Sequence, residues 1–256
     1  MNALNLIHSS FDSLQFNQNL IKQLHKIMLD LSQDENAGRY NTEDNAIFDI
    51  LPNKETRIRF MPTLATDTDK AMEQLINAYM IANQNSRINK LLLIPCVILD
   101  FLCVHPFLDG NGRTSRLLTL FLLYKCGYTA GKYVSLEKII NENKESYYDA
   151  LKASSIGWHD NTNDYWPFVI NFIICLARCY KQLDARFLTI GNKKINKQNR
   201  IEAVILNSLY PISKNEIMKY VPDASTNAVE LVLSKLLKDN KIVKIGKTNG
   251  ARYLRK

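Results

Sequence analysis

The sequence is poor in the two residues that most often interrupt helices, with 9 glycines and 7 prolines among 256 residues. A β fold rich in tight turns needs more of both, so their scarcity favours helices. Hydrophobic residues make up 46% of the chain and charged residues 23%, which is ordinary for a globular protein. The length allows one large domain or two smaller ones, with a real hydrophobic core. We therefore expect a mainly α fold.

Membrane-spanning and disulfide patterns are missing as well. The longest apolar run, residues 91–104, is interrupted by Pro95 and Asp100 and is too short to span a bilayer. The five cysteines are odd in number and show no CxxC spacing, which predicts free thiols in a reducing compartment. No charged segment followed by an apolar one opens the chain. These absences predict a cytoplasmic protein that does not enter a membrane.

Excess positive charge is absent from most of the chain. Residues 193–256 hold 14 Lys and Arg against 5 Asp and Glu, which gives this last quarter a net charge of +9. The whole chain carries +8, so the remainder is close to neutral. Such an uneven distribution predicts two units with different partners.

Hydrophobic periodicity predicts helices along most of the first 190 residues. Apolar residues recur at helical spacing in the segments 13–32, 66–80, 88–107, 113–127, 135–155 and 164–187. Residues 46–61 differ, because two short apolar runs flank Pro52–Glu55 and residues 57–60 alternate in polarity. This pattern predicts a small β-hairpin.

The last quarter of the chain has its own pattern. Residues 191–199 are polar and basic, which is typical of a linker. Residues 200–256 then predict helix, helix, turn, helix and two alternating strands around Thr248–Gly250. This order resembles a winged helix-turn-helix, a fold that often lays its third helix and its wing on DNA. A surface that binds protein instead stays an alternative. We expect domains at 1–190 and 200–256, joined by the linker.

One stretch, HPFLDGNGRTSR at 105–116, concentrates chemically active residues. Asp-Gly and Asn-Gly are hairpin signals, but a helical run follows here instead of a strand. A calcium loop would need an oxygen ligand at its fifth position and a glutamate at its twelfth, where this chain has Arg113 and Leu120. The chain also has no GxxxxGK(S/T) stretch. What remains is an anion-binding turn at the start of a helix.

The residue types in this turn fit a polyphosphate. Gly110 and Gly112 allow a tight turn whose N–H groups, together with the N-terminus of the following helix, attract an anion. Arg113 and Arg116 are three residues apart and project to one side of that helix, with bidentate geometry for phosphate oxygens. Solvated helix charges and a purely structural turn are the simpler alternatives.

A proton acceptor and a metal ligand flank the turn. Asp109 is a carboxylate beside it, and Mg²⁺ takes carboxylate oxygens together with substrate phosphates. His105 can accept a proton from a hydroxyl near neutral pH while that hydroxyl attacks an α-phosphate. The alternatives are a helix N-cap for Asp109 and a helix-end histidine for His105.

The stretch 105–116 resembles the motif of the Fic family, HxFx(D/E)GNGRxxR, at every fixed position. GRYNTED at 38–44, the hairpin at 46–61 and YYDALKASS at 147–155 also fall where Fic proteins carry common features. The resemblance covers about residues 1–190. It implies a Fic-type helical core and transfer of AMP from ATP to a Ser, Thr or Tyr hydroxyl of a target protein, which can be the chain itself.

The resemblance also implies a role for each matched position, with His105 as the general base and Asp109 as the Mg²⁺ ligand. The implied ATP-binding residues are Gly110, Asn111, Gly112, Arg113 and Arg116 around the phosphates and Tyr147, Tyr148 and Leu151 around the adenine. The hairpin is implied to be a flap that docks the target edge-on through Arg57, Ile58 and Arg59. Adjacent tyrosines on a helix are often one core and one surface residue, so that alternative stays open for Tyr147 and Tyr148.

The chain departs from the family pattern in three places. Asn41 stands where an arginine is common, and Met61-Pro62-Thr63 replaces a commoner double proline. The inhibitory pattern (S/T)xxxE(G/N), whose glutamate pairs with the second motif arginine, has no full match, since Thr226–Glu230 is followed by Leu231. The chain is then a shortened form, is regulated differently or is constitutively active. The histidines without an evident partner are expected to pack: His8, His25 and His159.

Three other functions stay open. The same site could transfer a different phosphate-linked group, or it could remove AMP from a modified protein if water replaced the hydroxyl. A third alternative is a DNA-binding regulator whose first domain senses a nucleotide without turnover. The expected partners are a hydroxyl-bearing protein target and, through residues 200–256, DNA, with a homodimer as an open option for assembly.

Overall fold

A computed structural model describes residues 3–30, 34–50, 55–188, 197–208, 210–246 and 250–256. Helices dominate this part of the chain, and the only strands described there form two small antiparallel sheets. The chain divides into two compact units, one formed by Met1–Thr129 with Leu136–Ala177 and the other by Ala130–Ser135 with Arg178–Lys256. The mainly α fold is therefore confirmed, and each unit is described by itself.

The first unit is built from helices of 7 to 17 residues and the first part of a longer one. Their bounds are α1 Ala3–Ser10, α2 Gln18–Leu29, α3 Thr68–Gln84, α4 Lys90–Val104, α5 Asn111–Lys125, α6 Leu136–Glu142, α7 Lys144–Ser155 and α8 Trp166–Leu188. Helix α2 begins later than the segment 13–32 predicts, because the Asn17 side chain accepts the Leu20 N–H at 2.9 Å and caps the helix there. Helix α1 has no counterpart among the predicted helices.

Two adjacent helices, α4 and α5, form the centre of the first unit. Nearly every residue of α5 from Thr114 to Tyr124 is buried, and so are most residues of α4 from Ile94 onward. The largest fully buried side chains there include Phe101, Phe121 and Tyr124. Burying apolar side chains of this size stabilises the fold by about 1.5–3 kcal/mol each. The turn between α4 and α5 is therefore held between two rigid elements.

The predicted β-hairpin is present at the edge of the first unit. Strands β1 (Ile47–Ile50) and β2 (Thr56–Phe60) pair antiparallel, with Phe48 opposite Ile58 and Asp49 opposite Arg57. The register shifts between Ile47 and Phe48, which marks a β-bulge or irregularity. Most of the predicted turn, residues 52–54, lies outside the described residues.

The second unit contains the three predicted helices and the two predicted final strands, and it also contains a short strand at 212–213 that was predicted as helix. Its elements are the end of α8, α9 (Lys197–Asn207), β3 (Ile212–Ser213), α10 (Lys214–Tyr220), α11 (Thr226–Lys238), β4 (Ile242–Ile245) and β5 (Arg252–Arg255). The sheet order is β3-β5-β4, and a capping box between Ser213 and Glu216 starts α10. Residues 197–199 of the predicted linker are already helical, while 191–196, Thr248 and Asn249 lie outside the described residues. The winged-helix assignment stays a prediction.

Two of the predicted absences can be compared with the structure. All five cysteines are free thiols. Within the described ranges, no helix is both long enough and apolar enough to cross a membrane.

Candidate active site

The motif occupies the turn between α4 and α5. His105 ends α4 in a left-handed conformation, with φ 52° and ψ 56°. Gly110 precedes α5 with φ 80°, which glycine adopts without strain. A histidine with positive φ is uncommon, and such residues persist where the surrounding structure fixes them. The backbone on both sides of the turn is therefore tightly specified.

The His105 ring is oriented so that one nitrogen can act as a base. Nδ1 lies 3.2 Å from the Leu102 carbonyl oxygen. Because a carbonyl can only accept, Nδ1 carries the proton and Nε2 keeps its lone pair. Burial lowers the pKa of His105, and the nearby Arg59 lowers it further, against the opposing effects of the Leu102 carbonyl and Asp109. The ring is therefore held neutral, with Nε2 able to take a proton.

Nearly every carbonyl oxygen of the turn accepts a hydrogen bond from the protein. Asn41 donates to two of them, through Nδ2 to the His105 oxygen at 3.1 Å and through its N–H to the Pro106 oxygen at 2.9 Å. His25 Nε2 lies 2.9 Å from the Asp109 oxygen, and the Thr114 N–H donates to the Gly110 oxygen at 2.8 Å. The carbonyl oxygens of the turn thus face donors supplied by the protein itself.

The backbone N–H groups of residues 108–113 in the same turn, unlike its carbonyl oxygens, make no hydrogen bonds among the described residues. No side chain caps α5, so its first N–H groups are also free for a ligand. A helix N-terminus with unpaired N–H groups attracts anions. The turn can therefore bind an anion through its backbone, as the glycines predict.

The asparagine of the motif braces the turn with its side chain. Asn111 is 2% exposed, its Oδ1 accepts the Phe107 N–H at 3.0 Å, and its Nδ2 donates to the Phe107 oxygen at 2.6 Å. Its contribution to an anion site is therefore limited to its backbone N–H.

A side chain would be accommodated differently at the two glycines of the turn. Gly110 has φ 80°, where a side chain is strained, and a Cβ there would also lie 2.8 Å from Met28 Cε and 3.2 Å from His25 Nε2, so the backbone conformation favours glycine. A Cβ at Gly112 would meet only Arg116 Nη1, at an ordinary 3.7 Å. Packing inside the protein therefore does not require glycine at Gly112, and its backbone is open to close approach by a ligand.

The motif arginines have different surroundings. Arg113 Nη2 lies 2.9 Å from Asp109 Oδ2, and its side chain is 46% exposed. Arg116 is 20% exposed, and its Nη2 lies 3.3 Å from Glu137 Oε1 on α6. Its Nε is buried and has no hydrogen-bond partner in the part of the chain that the structure describes. A buried cationic donor without an acceptor is costly, so Arg116 is suited to receive an anionic ligand oxygen.

Asp109 fits a metal that arrives with a nucleotide. Its carboxylate is 76% exposed and pairs with the Arg113 guanidinium. In the described ranges, no three His, Cys, Asp or Glu side chains form a metal-binding group. Mg²⁺ is commonly held by one or two carboxylates, substrate phosphates and water. The donor set therefore suits Mg²⁺ bound to phosphates and does not suit a dedicated protein cage.

The three residues predicted for the adenine pocket lie on α7 in different environments. Tyr147 is buried against Phe168, and burial raises its pKa to about 12. It lines an apolar cavity of about 20 Å³, which has room for one water molecule but not for a purine. Tyr148 is 38% exposed, with the Arg59 guanidinium carbon 5.8 Å from its ring centre. Leu151 is half-buried. An adenine contact stays a prediction for all three.

The flap residues divide between the two faces of the hairpin. Arg59 of β2 lies on the same face of the hairpin as Asp49 of β1, with its Nη1 3.5 Å from Asp49 Oδ1. Lys152 of α7 lies 3.4 Å from Asp49 Oδ2. Ile58 is 53% exposed beside Phe48, and Arg57 is also exposed. An ion pair between Lys152 and Asp49 therefore joins the hairpin to α7, while the other face of the hairpin exposes the apolar pair Phe48 and Ile58.

Two residues that contact the motif are missing from the predicted site. Asn41, which stands where an arginine is common in the family pattern, donates hydrogen bonds to the backbone oxygens of His105 and Pro106. His25 is expected only to pack; it is buried, but it also contacts the turn at Phe107 and Asp109. Neither residue is close to the motif in sequence, so no spacing could have indicated the contact.

Comparison with known sequences identifies part of the first unit. The sequence model of the Fic/DOC family matches residues 15–123. Protein adenylyltransferase Fic of Aedes aegypti is 40% identical over 75 residues, which are 29% of this chain and 13% of that protein. The protein of the same name from Drosophila grimshawi is 42% identical over 66 residues, 26% of this chain and 11% of that protein. The chain therefore matches only a small part of the length of these relatives.

Solved structures extend the likeness in fold. A Fic family protein from Desulfovibrio desulfuricans aligns over 99% of this chain and 73% of its own, with a TM-score of 0.57 and 19% identity. A Fic domain containing signaling protein from Bacteroides thetaiotaomicron aligns over 69% of this chain and 65% of its own, with a TM-score of 0.56 and 23% identity. At these identities the likeness concerns the fold, and it confirms the expected Fic-type helical core.

Proposed function

We propose that this chain, whose residues 15–123 form a Fic/DOC family domain, is a protein adenylyltransferase that moves AMP from ATP to a hydroxyl side chain of a protein. The observation that carries the proposal is the state of the His105 ring. Its Nδ1 is engaged by the Leu102 carbonyl, so the free Nε2 is available as a base at the edge of a turn with unpaired N–H groups. The curated relatives that match the chain are named for the same activity.

The reaction is a single substitution at the α-phosphorus. His105 Nε2 takes the proton of the target hydroxyl as its oxygen forms a bond to the α-phosphorus of ATP. The bond from that phosphorus to the bridging oxygen breaks, and pyrophosphate leaves. The products are an AMP ester of the protein and protonated His105, which returns its proton to solvent. Positioning and charge stabilisation supply most of the rate in such transfers.

The phosphate charge has three sources of compensation in the chain. The unpaired N–H groups at the start of α5 and the Gly112 backbone face the phosphates, and Arg113 and Arg116 bind the outer ones. Asp109 would hold Mg²⁺, which when bound neutralises part of the phosphate charge. Asp109 must then share or give up Arg113, whose guanidinium is freed to meet a phosphate.

The proposal is tested with labelled ATP. The wild-type chain with Mg²⁺ and ATP should transfer label to itself or to proteins of a lysate, and mass spectrometry should find an added AMP on a hydroxyl side chain. His105→Ala should abolish the label while ATP binding by calorimetry is retained. Equal labelling by both forms rejects His105 as the base. Label from another nucleotide, or loss of AMP from a premodified protein, would favour one of the related activities.

We further propose that residues 200–256 contact DNA, on the basis of their ion pairs. Lys214 is neutralised by Glu230 at 2.6 Å. Lys235 and Lys238 on α11 and Lys244 and Arg255 on the strands form no ion pair among the described residues. Each phosphate contact adds about −0.9 to the slope of log affinity against log salt. Lys235→Ala should flatten that slope and Lys214→Ala should not. A salt-independent interaction would favour a protein partner.

A further inference from the structure

His25 lies beneath the motif, in the centre of α2. It is 2% exposed, and its Nδ1 accepts the Gly38 N–H at 2.8 Å. A nitrogen that accepts a hydrogen bond carries no proton, so the single proton of the neutral ring is on Nε2. Nε2–H therefore donates to the Asp109 carbonyl oxygen 2.9 Å away. The ring links the backbone at Gly38 to the backbone of the turn in one defined tautomer.

Two further contacts bring the same ring against the motif. It stacks on Phe107 with ring centres 3.7 Å apart and planes 3° from parallel. Its Nε2 lies where it would be 3.2 Å from a Cβ at Gly110. Phe107 itself is fully buried and held by Asn111. His25 is therefore buried and contacts the turn at Phe107 and Asp109, with Gly110 next to its ring.

We propose that His25 is a positioning residue of the nucleotide site, whose Nε2–H holds the Asp109 backbone so that the Asp109 carboxylate is presented to a Mg²⁺-nucleotide. The proposal rests on the proposed function for the identity of the ligand. His25 does not touch the reacting groups; it fixes the backbone of a residue whose side chain is 76% exposed and pairs with the Arg113 guanidinium. The hydrogen bond to Asp109, and not the one from Gly38, is the one that matters for the ligand.

Two variants separate the two hydrogen bonds of the ring. In His25→Gln the side-chain amide N–H stands near the place of Nε2–H and can still donate to Asp109. In His25→Asn the amide oxygen stands near the place of Nδ1 and can still accept from Gly38, but nothing reaches Asp109. Each variant loses one hydrogen bond and the same ring stacking, so their melting temperatures should be similar. A comparison of the two variants therefore isolates the hydrogen bond to Asp109.

The readout is calorimetric ATP affinity with Mg²⁺ and with EDTA. With Mg²⁺, His25→Asn should bind ATP about tenfold more weakly than the wild type, as expected for loss of one buried hydrogen bond, and His25→Gln within about threefold of it. In EDTA the two variants should bind alike, because the Asp109 carboxylate then has no metal to hold. Equal losses with Mg²⁺, no loss in either variant, or a greater loss in His25→Gln would each overturn the proposal.

A second measurement needs no variant. Long-range ¹⁵N–¹H NMR of the histidine rings of the wild type should find His25 neutral with its proton on Nε2. A proton on Nδ1 would overturn the proposal even if both variants failed to fold. A wild type that binds Mg²⁺·ATP without transferring label defeats the proposed function, and the order of the variants still decides the role of His25. A wild type that does not bind Mg²⁺·ATP overturns both.

Discussion

Glu137→Gln should tighten the binding of Mg²⁺·ATP about fivefold, because Glu137 pairs with Arg116, the arginine that we propose binds the outer phosphates. Its Oε1 lies 3.3 Å from Arg116 Nη2, and the two side chains are 54% and 20% exposed. The buried Nε of the same guanidinium has no partner among the described residues. In the family resemblance a glutamate on this arginine is inhibitory; here the carboxylate comes from α6, in a sequence without that pattern.

The magnitude follows from Coulomb's law. A phosphate bound on the other side of the Arg116 guanidinium would lie roughly 6–7 Å from the Glu137 carboxylate, and an effective dielectric constant of about 40–80 gives a repulsion of roughly 0.6–1.4 kcal/mol per unit charge. The half-exposed carboxylate is close to the weaker limit for a single charge, but more than one phosphate charge is nearby. Removing it should therefore gain about 1 kcal/mol, or about fivefold in affinity. Arg116 keeps its place in the variant because most of its side chain is buried.

The assay is calorimetric titration with Mg²⁺·ATP at two salt concentrations. Glu142→Gln is the matched control: it makes the same charge change on the same helix, at a carboxylate that pairs with Lys138 at 3.9 Å instead of with Arg116. The gain from Glu137→Gln should shrink at about 1 M salt, where charges are screened beyond about 3 Å. Unchanged or weaker binding relative to Glu142→Gln would refute the reasoning, because Glu137 would then be orienting Arg116 for the phosphates.

Three further predictions concern the turn and its support. Because burial lowers the pKa of His105 below its usual 6.5 and the neutral ring is the proposed base, the acid limb of kcat/KM should have its midpoint below pH 6.5; a midpoint above pH 6.5 would contradict this. Gly110→Ala should lower stability by about 1–2 kcal/mol or more through its positive φ, whereas Gly112→Ala should leave the melting temperature unchanged or higher and weaken ATP binding; equal melting losses would refute the distinction. Asp100→Ala should lower the free energy of unfolding by roughly 1–3 kcal/mol in chemical denaturation, because the Asp100 carboxylate accepts from the Trp158 indole N–H at 2.8 Å and the Tyr165 hydroxyl at 2.7 Å. Asp100→Asn, which keeps one acceptor, should cost less, and equal costs would argue against those bonds.

Sequence periodicity was sufficient for the helices that carry an apolar face. The segment 88–107 predicts α4, and the run after the glycines predicts α5, because burial on these helices is extensive and local composition agrees with it. Helix α1 was missed because a helix of only 8 residues offers about two turns of pattern. The start of α2 was misjudged because the apolar pattern extends beyond the Asn17 cap, and the cap, not the pattern, sets the first helical residue.

The candidate site was predictable only where it is local in sequence. His105, Asp109 and the glycines occur within one short stretch, so their chemistry could be inferred from residue type and spacing. His25 reaches Asp109 from 84 residues away, and Asn41 reaches His105 from 64 residues away. Such contacts depend on how α2 and the segment after it pack on the turn. A single sequence has no periodic signal for them.

These distant contacts determine which charge the turn attracts. A free turn has one acceptor for nearly every donor, so its backbone alone has no strong preference for an anion. In the folded chain Asn41, His25 and Asn111 occupy carbonyl oxygens of the turn, while the N–H groups of residues 108–113 are left without protein acceptors among the described residues. The excess of unpaired N–H groups in the turn is therefore a tertiary property, because the side chains that occupy its carbonyl oxygens lie outside the turn or, like Asn111, fold back on it. Asn41, which stands where an arginine is common, acts on the turn by occupying two of its carbonyl oxygens and not through a charge of its own.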